Sequence, residues 1–393
     1  TVRLVCRSPP TSSVGEALPF SVSLNGVDWD SGNTDLQFSY YDEPVMHDIY
    51  PDMGNVLGGD EIFIRGDKFT NITDPEHFRC RFTPQNLQIP PKTVRAHYIN
   101  STHIMCPSPG GWTEADRVVL AVTWNGVDYD ENNFEYSFYS IHRALPRSGP
   151  ADGTGGDILI LGEGFRADTN PRCLLNRTIY EPVSVTPTEI RCPMVAAQEG
   201  EDYFGNVELS VTANGIKWDN FDGGFQYYEQ PTVDDIDPKM GPNEGIGIIN
   251  FYGSNFRADY PLAELGCKIG ESTGRAYYVS TRQVKCVVED LPLLAEEQDA
   301  MPARVSLNSY SYTEPTDDSY YRPYGIQAIS PNSGPVHGLS TVVVQGQGFV
   351  TVEGVTPRCR FGTSANFGIV EAQIMSYNRL ACRVPETLVD TTH

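Results

Sequence analysis

The residue types that could carry chemistry in this sequence occur in a few short motifs. Gly162-Glu163-Gly164-Phe165 matches the loose form of a dinucleotide-binding glycine loop, which has to open a helix. No helix pattern follows it, and the corresponding places elsewhere read Gly66-Asp67-Lys68-Phe69 and Gly253-Ser254-Asn255-Phe256. We therefore expect no cofactor at this loop.

A second motif, Gly270-Glu271-Ser272-Thr273-Gly274, has the spacing of the turn that presents a nucleophilic serine. Such a turn connects a strand to a helix and needs a histidine partner. Here it lies in a polar loop, and no histidine occurs between His142 and His337. The sequence therefore predicts a protein that is not an enzyme.

The sequence contains two groups of potential metal ligands. His47, His77, His97 and His103 share one stretch of about 60 residues, but other parts of the sequence lack them, which favours surface histidines. Acidic clusters recur along the chain, and clustered hard oxygens suit calcium. Their spacing is not that of an EF-hand, so we expect solvated carboxylates, with calcium as the less favoured alternative. The clusters comprise Asp28, Asp30 and Asp35; Asp128, Asp130 and Glu131; Asp219 and Asp222; Glu314, Asp317 and Asp318.

The charge balance limits the classes of partner. The 393 residues carry 28 basic and 51 acidic side chains, a net charge of −23. A nucleic-acid binder needs a basic footprint, and an anionic membrane surface repels acidic chains. No run of 18 apolar residues is present, so we expect no membrane insertion in this segment. Thr1 is not a natural start, and no signal peptide stands there, which indicates a mature or truncated piece.

The elements that position these residues follow a long repeat. A glycine-rich turn, an apolar strand and a Gly-x-x-Phe turn occur four times, ending at Phe69, Phe165, Phe256 and Phe349. These phenylalanines are 96, 91 and 93 residues apart. A period of one domain length indicates tandem domains rather than a solenoid of small units. Short strands between Gly/Pro turns, with many aromatic residues, predict an all-β class.

A second motif repeats out of phase with the first. An alternating strand runs into Asn25-Gly26, Asn125-Gly126, Asn214-Gly215 and Asn308-Ser309. Asn-Gly predicts a type I′ hairpin, in which both turn residues need positive φ, and Asn308-Ser309 predicts a different turn. An aromatic strand and a short connection with proline follow each copy. Short proline-containing connections are semi-rigid, so we expect an extended rod.

The two motifs together predict the domain boundaries. Residues 44–139, 140–229 and 230–324 each hold a whole unit, called repeats 1, 2 and 3 below. Residues 1–43, the leading segment, hold the C-terminal half of a unit, and residues 325–393, repeat 4, hold the N-terminal part of one. Both ends are therefore expected to fall inside a domain. The best helical candidate is residues 291–300, with two or three turns at most.

Nine cysteines follow the same period. Each repeat has two, and the spacing predicts four disulfides: Cys80 with Cys106, Cys173 with Cys192, Cys267 with Cys286 and Cys359 with Cys382. Cys6 has the context of a second cysteine, so its partner is expected before Thr1. Disulfides imply an oxidising compartment and an extracellular location. The alternative is pairs of buried free thiols; no Cys-x-x-Cys spacing supports zinc.

Three sequons predict N-linked glycans at Asn71, Asn100 and Asn176. About this number arises by chance in a chain of this length, so the positions carry more weight than the count. Asn71 follows the Gly-x-x-Phe turn and Asn100 precedes the second cysteine. Both are expected in solvent-exposed loops, as an acceptor requires.

Taken together, these motifs resemble the IPT/TIG domain. The resemblance covers Ile49-Tyr50-Pro51 and its counterparts, the glycine-flanked strand, and Cys-x-Phe as in Cys80-Arg81-Phe82 and Cys359-Arg360-Phe361. A final Phe-x-Tyr completes it. Repeat 3 departs from the pattern at Gly245-Ile246-Gly247 and at Cys267-Lys268-Ile269. The resemblance implies tandem immunoglobulin-like β-sandwiches over nearly the whole chain.

The functions found in this family narrow the range of functions expected for this chain. Rel-type transcription factors use the domain on DNA, whereas plexins, the hepatocyte growth factor receptor and large fibrocystin-type surface proteins carry several copies outside the cell. The acidic charge and the paired cysteines exclude the first group. The resemblance therefore implies an extracellular structural or adhesion protein, a segment of a longer array that builds a surface filament or rod. Its partners would be neighbouring copies or domains of the same protein and N-linked glycans.

Two alternatives stay open: a plexin-like receptor ectodomain that binds a protein ligand, and non-catalytic modules of a secreted polysaccharide-acting enzyme. The half-domains at the ends favour one continuous longer chain. Neighbouring subunits could also complete each other's half-domains by strand addition, although both halves contain the strand of the second cysteine.

Overall fold

The computed structural model describes most of the 393 residues. The described residues are 4–386 and 389–390, without 12–13, 31–35, 72–75, 87, 115, 131–133, 198–205, 259–264, 296–297, 299, 353–354 and 364–365. Within them the secondary structure is β-strand, apart from one 3-10 turn at Ala167–Thr169. The predicted all-β class is confirmed. Residues 291–295, 298 and 300 form no helix, so the helical candidate is wrong over these positions.

The strands are numbered β1 to β34 in chain order. The leading segment has β1 (Ala17–Pro19) and β2 (Gln37–Ser39). Repeat 1 has β3 (Val45–Tyr50), β4 (Met53–Asn55), β5 (Glu61–Asp67), β6 (Arg79–Pro84), β7 (Lys92–Arg95), β8 (His97–Asn100), β9 (His103–Pro107), β10 (Arg117–Thr123) and β11 (Phe134–Leu145). Repeat 2 has β12 (Ser148–Pro150), β13 (Asp157–Glu163), β14 (Arg172–Leu175), β15 (Thr178–Tyr180), β16 (Ser184–Thr186), β17 (Glu189–Pro193), β18 (Asn206–Val207), β19 (Leu209–Thr212), β20 (Asp219–Asn220) and β21 (Phe225–Tyr228).

The remaining strands belong to repeats 3 and 4. Repeat 3 has β22 (Thr232–Asp237), β23 (Met240–Pro242), β24 (Ile246–Ser254), β25 (Gly266–Ile269), β26 (Ser272–Ser280), β27 (Gln283–Glu289), β28 (Met301–Ser306) and β29 (Tyr320–Ser330). Repeat 4 has β30 (Thr341–Gln347), β31 (Arg358–Gly362), β32 (Asn366–Ser376), β33 (Arg379–Arg383) and β34 (Val389–Asp390).

Repeat 1 shows how a complete repeat is built. One sheet has the order β3-β5-β9-β8, and the other contains β11, β10, β6 and β7, with the short β4 parallel to β11. Side chains alternate between the core and solvent, so that Ile62, Ile64, Cys80 and Phe82 are fully buried between the sheets. The disulfide of Cys80 and Cys106 joins β6 to β9 and therefore links the two sheets.

The recurring Gly-x-x-Phe turn closes the first strand of each core. In repeat 1, a Cβ on Gly66 would lie 2.1 Å from the carbonyl oxygen of Val45 and 2.4 Å from the Phe69 ring. The equivalent glycines of the other repeats have the same two neighbours, a backbone oxygen of the entering strand and the ring of the turn phenylalanine: Gly162, Gly253 and Gly346. The motif therefore serves packing. The phenylalanine ring lies against the glycine backbone, where a side chain would not fit.

The asparagine turns differ from the predicted type I′ hairpin. Only the second residue has positive φ, as at Gly126 (77°), while Asn125 does not. The side-chain oxygen of Asn125 instead accepts hydrogen bonds from the amides of Val127 and Asp128. Such an Asx turn is a local alternative to the hairpin ladder. The type I′ prediction is therefore wrong.

The expectation of a different turn at Asn308-Ser309 is also wrong. Ser309 takes the glycine position with φ of 61°, and Asn308 accepts from the amides of Tyr310 and Ser311. The asparagine side chain holds the turn closed in this repeat too, so a serine is tolerated in the left-handed region.

The connections between repeats are shorter than predicted. β11 runs without interruption from repeat 1 into repeat 2, and β29 runs from repeat 3 into repeat 4. Only residues 229–231, between β21 and β22, separate two repeats without strand structure. The prolines of the predicted connections lie after the entering strand, at Pro51, Pro146, Pro238 and Pro331, each behind a cis peptide bond.

The chain divides into two compact units. Unit 1 contains Thr1–Ala144, Leu159–Cys192 and Leu209–Phe221; unit 2 contains Leu145–Ile158, Pro193–Glu208 and Asp222–His393. The residues of repeat 2 are thus shared between the two units. Unit 1 has the core of repeat 1, and unit 2 has the core of repeat 3 and a smaller cluster in repeat 4 around Val344, Phe349 and Cys382.

Candidate functional site at the joins between repeats

In unit 1, the asparagine turn of repeat 2 packs on the glycine-rich loop of repeat 1. The side-chain amide of Asn214 donates to the carbonyl oxygen of Met53 at 3.1 Å. Three residues further on, the ammonium group of Lys217 donates to the carbonyl oxygen of Gly58 at 3.0 Å. Asn214 is 1% exposed, so its hydrogen bond to Met53 is removed from solvent, whereas Lys217 is partly exposed.

Asp60 lies at the centre of this join. One carboxylate oxygen accepts from the amide of Asn55 at 2.9 Å and the hydroxyl of Ser108 at 3.2 Å, and the other accepts from Asn214 at 3.3 Å. Lys217 lies 3.8 Å away as an ion pair. Burial raises the pKa of Asp60 from its ordinary value, although Lys217 and the hydrogen bonds oppose the shift. A buried carboxylate with these partners binds the two repeats together.

A second carboxylate, Asp219 of repeat 2, completes the join from the opposite side. It accepts from the hydroxyl of Tyr139 at 3.0 Å and from the side-chain amide of Asn55 at 3.2 Å. Burial again raises its pKa. Nearby, Arg166 donates to Asp52 at 3.0 Å. Each repeat therefore contributes both donors and acceptors to the join.

Unit 2 contains the same arrangement between repeats 3 and 2. The side-chain amide of Asn308 donates to the carbonyl oxygen of Ser148 at 2.7 Å. Three residues further on, Ser311 donates to the carbonyl oxygen of Gly155 at 2.8 Å. Ser148 lies two residues after a cis-proline, as Met53 does, and Gly155 precedes Gly156 as Gly58 precedes Gly59.

The two joins therefore use equivalent positions with different side chains. In both, the turn asparagine and the residue three positions later bind backbone carbonyls of the preceding repeat. In repeat 1 the residue three positions later is Asp128, and Asn125 donates to that carboxylate within its own loop at 2.8 Å. Backbone acceptors depend little on sequence, which explains how one geometry recurs with a lysine in one join and a serine in the other.

The four predicted cysteine pairs are bonded in the structure. They have Cα–Cα distances of 6.2, 5.7, 5.9 and 6.2 Å in chain order. Each disulfide lies in the core of one repeat and none lies at a join. Cys6 is an exposed free thiol among the described residues. The disulfides stabilise single repeats, and the joins depend on other side chains.

The predicted glycan acceptors lie at the surface to different degrees. Asn71 and Asn100 are exposed, whereas Asn176 is half-buried with φ of 50° in the turn between β14 and β15. The oxygen of Asn100 accepts from the amide and hydroxyl of Thr102, the third residue of its sequon. None of the three takes part in a join, and glycosylation at these sites stays a prediction.

In the structure, the motifs considered for catalysis and metal binding have local structural roles. Gly164 occupies the positive-φ position of the Gly-x-x-Phe turn, and Gly270 turns β25 into β26, so that Ser272 begins a strand rather than a helix. His47 binds Asp67 at 2.8 Å, and His103 binds Thr102. Within the described residues no group of three or more His, Cys, Asp or Glu side chains could hold a metal ion.

The sequence analysis predicts a solvated carboxylate at Asp219, and this is wrong, because the carboxylate is largely desolvated in the join and accepts from Tyr139 and Asn55. It does not predict the other residues of the joins. The sequence pattern identifies the asparagine only as a turn former, and no functional motif marks Lys217, Ser311 or Asp60.

The sequence does contain a signal, however. The asparagine recurs at the end of the same strand in the leading segment and in repeats 1 to 3, although strand pairing alone does not require an asparagine there. At Asn214 and Asn308, whose amides are buried, the contact with the preceding repeat explains why an asparagine occupies this position.

Comparison with known proteins agrees with this architecture. The chain belongs to the IPT/TIG domain family, which matches residues 44–138, 140–227, 231–320 and 323–392. The predicted family is thereby confirmed, and the assignment of residues 1–43 to a half-domain stays a prediction.

The relatives are much longer proteins. The chain is similar to fibrocystin-L of Homo sapiens, at 22% identity over 355 residues that cover 88% of this chain and 7% of the relative. It is also similar to plexin-A2 of Homo sapiens, at 27% identity over 202 residues that cover 47% of this chain and 10% of the relative. The chain thus spans a small part of the curated relatives it matches.

Among solved structures, the chain is similar to the full extracellular region of plexin A4. The TM-score is 0.36 at 15% identity, and the match covers 88% of this chain and 29% of the other. Among the described residues, no helix has the length and apolar character needed to cross a membrane.

Proposed function

We propose that the chain is a segment of an extracellular structural or adhesion array, whose work is to hold successive IPT/TIG domains at fixed joins. The observation that carries the proposal is a repeated contact, called the lock below. In it, the side-chain amides of Asn214 and Asn308 donate hydrogen bonds to backbone carbonyl oxygens of the preceding repeat. A flexible string of binding modules has no need of buried polar contacts between its members, because relative motion is the default between domains.

Two further observations support an extracellular place for this array. The core of each repeat contains a disulfide, and such bonds persist in oxidising compartments. The chain is also similar to fibrocystin-L and plexin-A2, and these are two of the kinds of protein that carry several copies of this domain outside the cell. A surface filament or cell-surface rod is the specific form that we propose, with neighbouring domains and copies as partners.

The test compares two kinds of asparagine variant by small-angle X-ray scattering of the secreted chain. Asn214→Ala together with Asn308→Ala removes both locks, so we expect a broader distribution of particle dimensions than in the wild type. Asn125→Ala is the matched control, because it removes the same Asx turn but no bond to another repeat. Identical scattering from the double variant and the control would overturn the proposal, provided that melting curves show both to be folded.

A receptor ectodomain is the second candidate, favoured by the similarity to plexin-A2. It requires a protein ligand on the cell surface. Saturable binding of the labelled chain to cells, abolished by surface substitutions away from the joins, would favour the receptor over the structural array.

A further inference from the structure

The sheet β22-β24-β27-β26 of repeat 3 carries apolar side chains on its solvent side, called the outer face below. The other side of this sheet packs into the core through residues such as Ile249, Phe251 and Val284. The alternate residues of the strands point to solvent, and four large apolar side chains among them are 37–67% exposed: Ile246, Ile248, Tyr252 and Tyr277. Exposed apolar patches mark interaction sites.

The outer face of repeat 3 differs from the same face of the other repeats. Five residues before the glycine of the Gly-x-x-Phe turn, repeat 3 has Ile248, whereas the other repeats have polar side chains: Glu61, Asp157 and Thr341. One residue before that glycine, repeat 3 has Tyr252, whereas repeat 1 has Arg65, which forms an ion pair with Asp48. Single exposed apolar residues are common on proteins. Here two of them replace charged groups of repeat 1 within one patch, which indicates a surface that meets a partner.

Strand pairing shows which side chains are neighbours on the outer face, because directly opposite residues of an antiparallel pair lie on the same side of the sheet. One row across the four strands consists of Asp237, Asn250, Lys285 and Tyr277. The adjacent row contains Ile248, Val287 and Arg275. An acidic group therefore lies at the β22 edge, whereas the basic groups lie on β27 and β26.

We propose that a second copy of this chain packs its own outer face on the outer face of repeat 3, about a two-fold axis parallel to the strands. Two sheets pack face to face in this way about 10 Å apart. The axis lies between β24 and β27, so the β22 edge of each copy meets the β26 edge of the other. Ile248 then contacts Val287 of the second copy, and Asn250 contacts Lys285 of the second copy. Each contact occurs twice, as in every two-fold interface.

Charge complementarity is the reason for a second copy as the occupant, because the outer face carries opposite charges at its two edges. Asp237 at the β22 edge comes within reach of Arg275 and of the Tyr277 hydroxyl at the β26 edge of the other copy. Such complementary charges fix the register of an interface. A two-fold axis across the strands would instead set the Asp237 side chains of both copies against each other. The face is therefore complementary to itself in one orientation.

The remaining charges of the outer face are compatible with this arrangement. Asp235, on β22 like Asp237, forms an ion pair with Lys239 of its own copy at 3.1 Å. Glu289 lies opposite Ile246 in the outermost row of the face, where the rim of an interface stays in contact with water. These carboxylates therefore do not meet like charges in the proposed dimer.

The outer face is exposed although repeat 3 is joined to another repeat on either side. The lock at Asn308 joins it to repeat 2, and β29 continues into repeat 4. Both connections leave Ile246, Ile248 and Tyr277 in solvent. The proposal rests on the proposed function for its meaning, since it names the surface through which neighbouring copies of the array meet side by side.

Sedimentation velocity of the whole chain over a range of concentrations tests the proposal. We expect the wild type to pass from monomer to dimer and no further, because a two-fold contact closes on itself. Ile248→Glu introduces the acid that repeat 1 has at this position, so the monomer should fold. It should weaken the dimer about a hundredfold, because two buried isoleucines are lost per dimer. Ile179→Glu is the matched control: it changes a 56% exposed isoleucine of repeat 2 and should dimerise like the wild type.

Two charge variants test the orientation of the axis. Asp237→Arg and Arg275→Asp each bring like charges together in a dimer of identical copies, so each variant alone should dimerise more weakly than the wild type. In an equimolar mixture, each substituted side chain of one variant meets an opposite charge on the other, so mixed dimers should form with nearly the affinity of the wild type. Thermal melting of each variant shows whether the monomers are folded.

A wild-type chain that stays monomeric at all concentrations would overturn the proposal, as would oligomers that grow without limit. Equal association of Ile248→Glu and Ile179→Glu, or a mixture of the charge variants that associates no better than each alone, would also overturn it. The proposed function fails on a different result, unchanged scattering when both locks are removed, and that measurement does not involve the outer face.

Discussion

Asp60 shows how much a single residue contributes to a join. Asp60 is 3% exposed, and its carboxylate binds groups of two repeats. Burial disfavours the charged form and raises its pKa, so the protein retains a group that is costly to desolvate. Such a cost is compatible with stability only because hydrogen bonds and Lys217 compensate it.

Asp60→Asn should destabilise unit 1 by about 2 kcal/mol at pH 7, because an amide nitrogen must face a donor among Asn55, Ser108 and Asn214. A raised folded pKa means that the stabilising contribution of Asp60 is full below the unfolded pKa of about 3.9 and is lost as the pH rises through the folded pKa. The difference in unfolding free energy between wild type and Asp60→Asn should therefore be larger near pH 4 than at pH 7, as measured by thermal melting.

Asp48→Asn provides a control of opposite sign. Arg65 holds the pKa of Asp48 below its ordinary value, so its contribution is present above about pH 4 and is lost as the pH falls. Parallel pH profiles for the two variants would contradict the assignment of Asp60 to a buried environment.

Two glycines at β5 are required for different reasons: Gly66 lies within the strand and Gly59 lies two residues before it. Substitution by alanine distinguishes the two reasons. Gly66→Ala forces a methyl group against the Val45 carbonyl oxygen and the Phe69 ring and should cost about 3 kcal/mol. Gly59→Ala meets no atom within 4 Å but keeps φ of 82°, and it should cost about 1 kcal/mol. Denaturant unfolding of both variants checks the order; equal losses would show that backbone conformation alone requires the glycines.

At the level of elements, the sequence predicts the strands well and the turns poorly. Ile62 and Ile64 alternate with polar residues, and this period of two is a local property that survives into the structure. The turn at Asn125 could not be predicted from φ preferences, because the asparagine side chain supplies hydrogen bonds that replace the backbone pattern. Scales of backbone propensity do not include this competition between side-chain and backbone hydrogen bonds.

The disulfides act on the same scale, within single repeats. Replacement of Cys173 and Cys192 by serine opens a loop with a sequence separation of 19 and should lower the stability of repeat 2 by about 3 kcal/mol in the chain-entropy model. Cys6→Ser, at an exposed free thiol, is the control and should leave the melting temperature unchanged. If serine at both positions has no effect, the disulfide does not constrain the unfolded chain as this model requires.

At the scale of the whole molecule, the period of the motifs predicts the domains but not what lies between them. The fourfold recurrence of Gly-x-x-Phe depends on sequence alone, so the tandem array can be predicted. Lys217 and Gly58 are 159 residues apart in the chain, and no local pattern predicts that they meet. The same limitation applies to β11, whose continuity through two repeats is visible only once both repeats are packed.

Net charge is the other property of the whole molecule, and it leads to a prediction about calcium. With 51 acidic and 28 basic side chains, the folded chain repels itself, and salt screens this repulsion over about 10 Å at 0.1 M ionic strength. We therefore expect the melting temperature to rise with sodium chloride. Calcium chloride at equal ionic strength should raise it by a similar amount, because within the described residues no three acidic, histidine or cysteine groups converge on one point. An excess stabilisation by calcium that saturates at low concentration would instead reveal a specific site. Substitution of Asp128 and Asp130, in the acidic stretch after the Asn125 turn, would then test whether that stretch holds the ion.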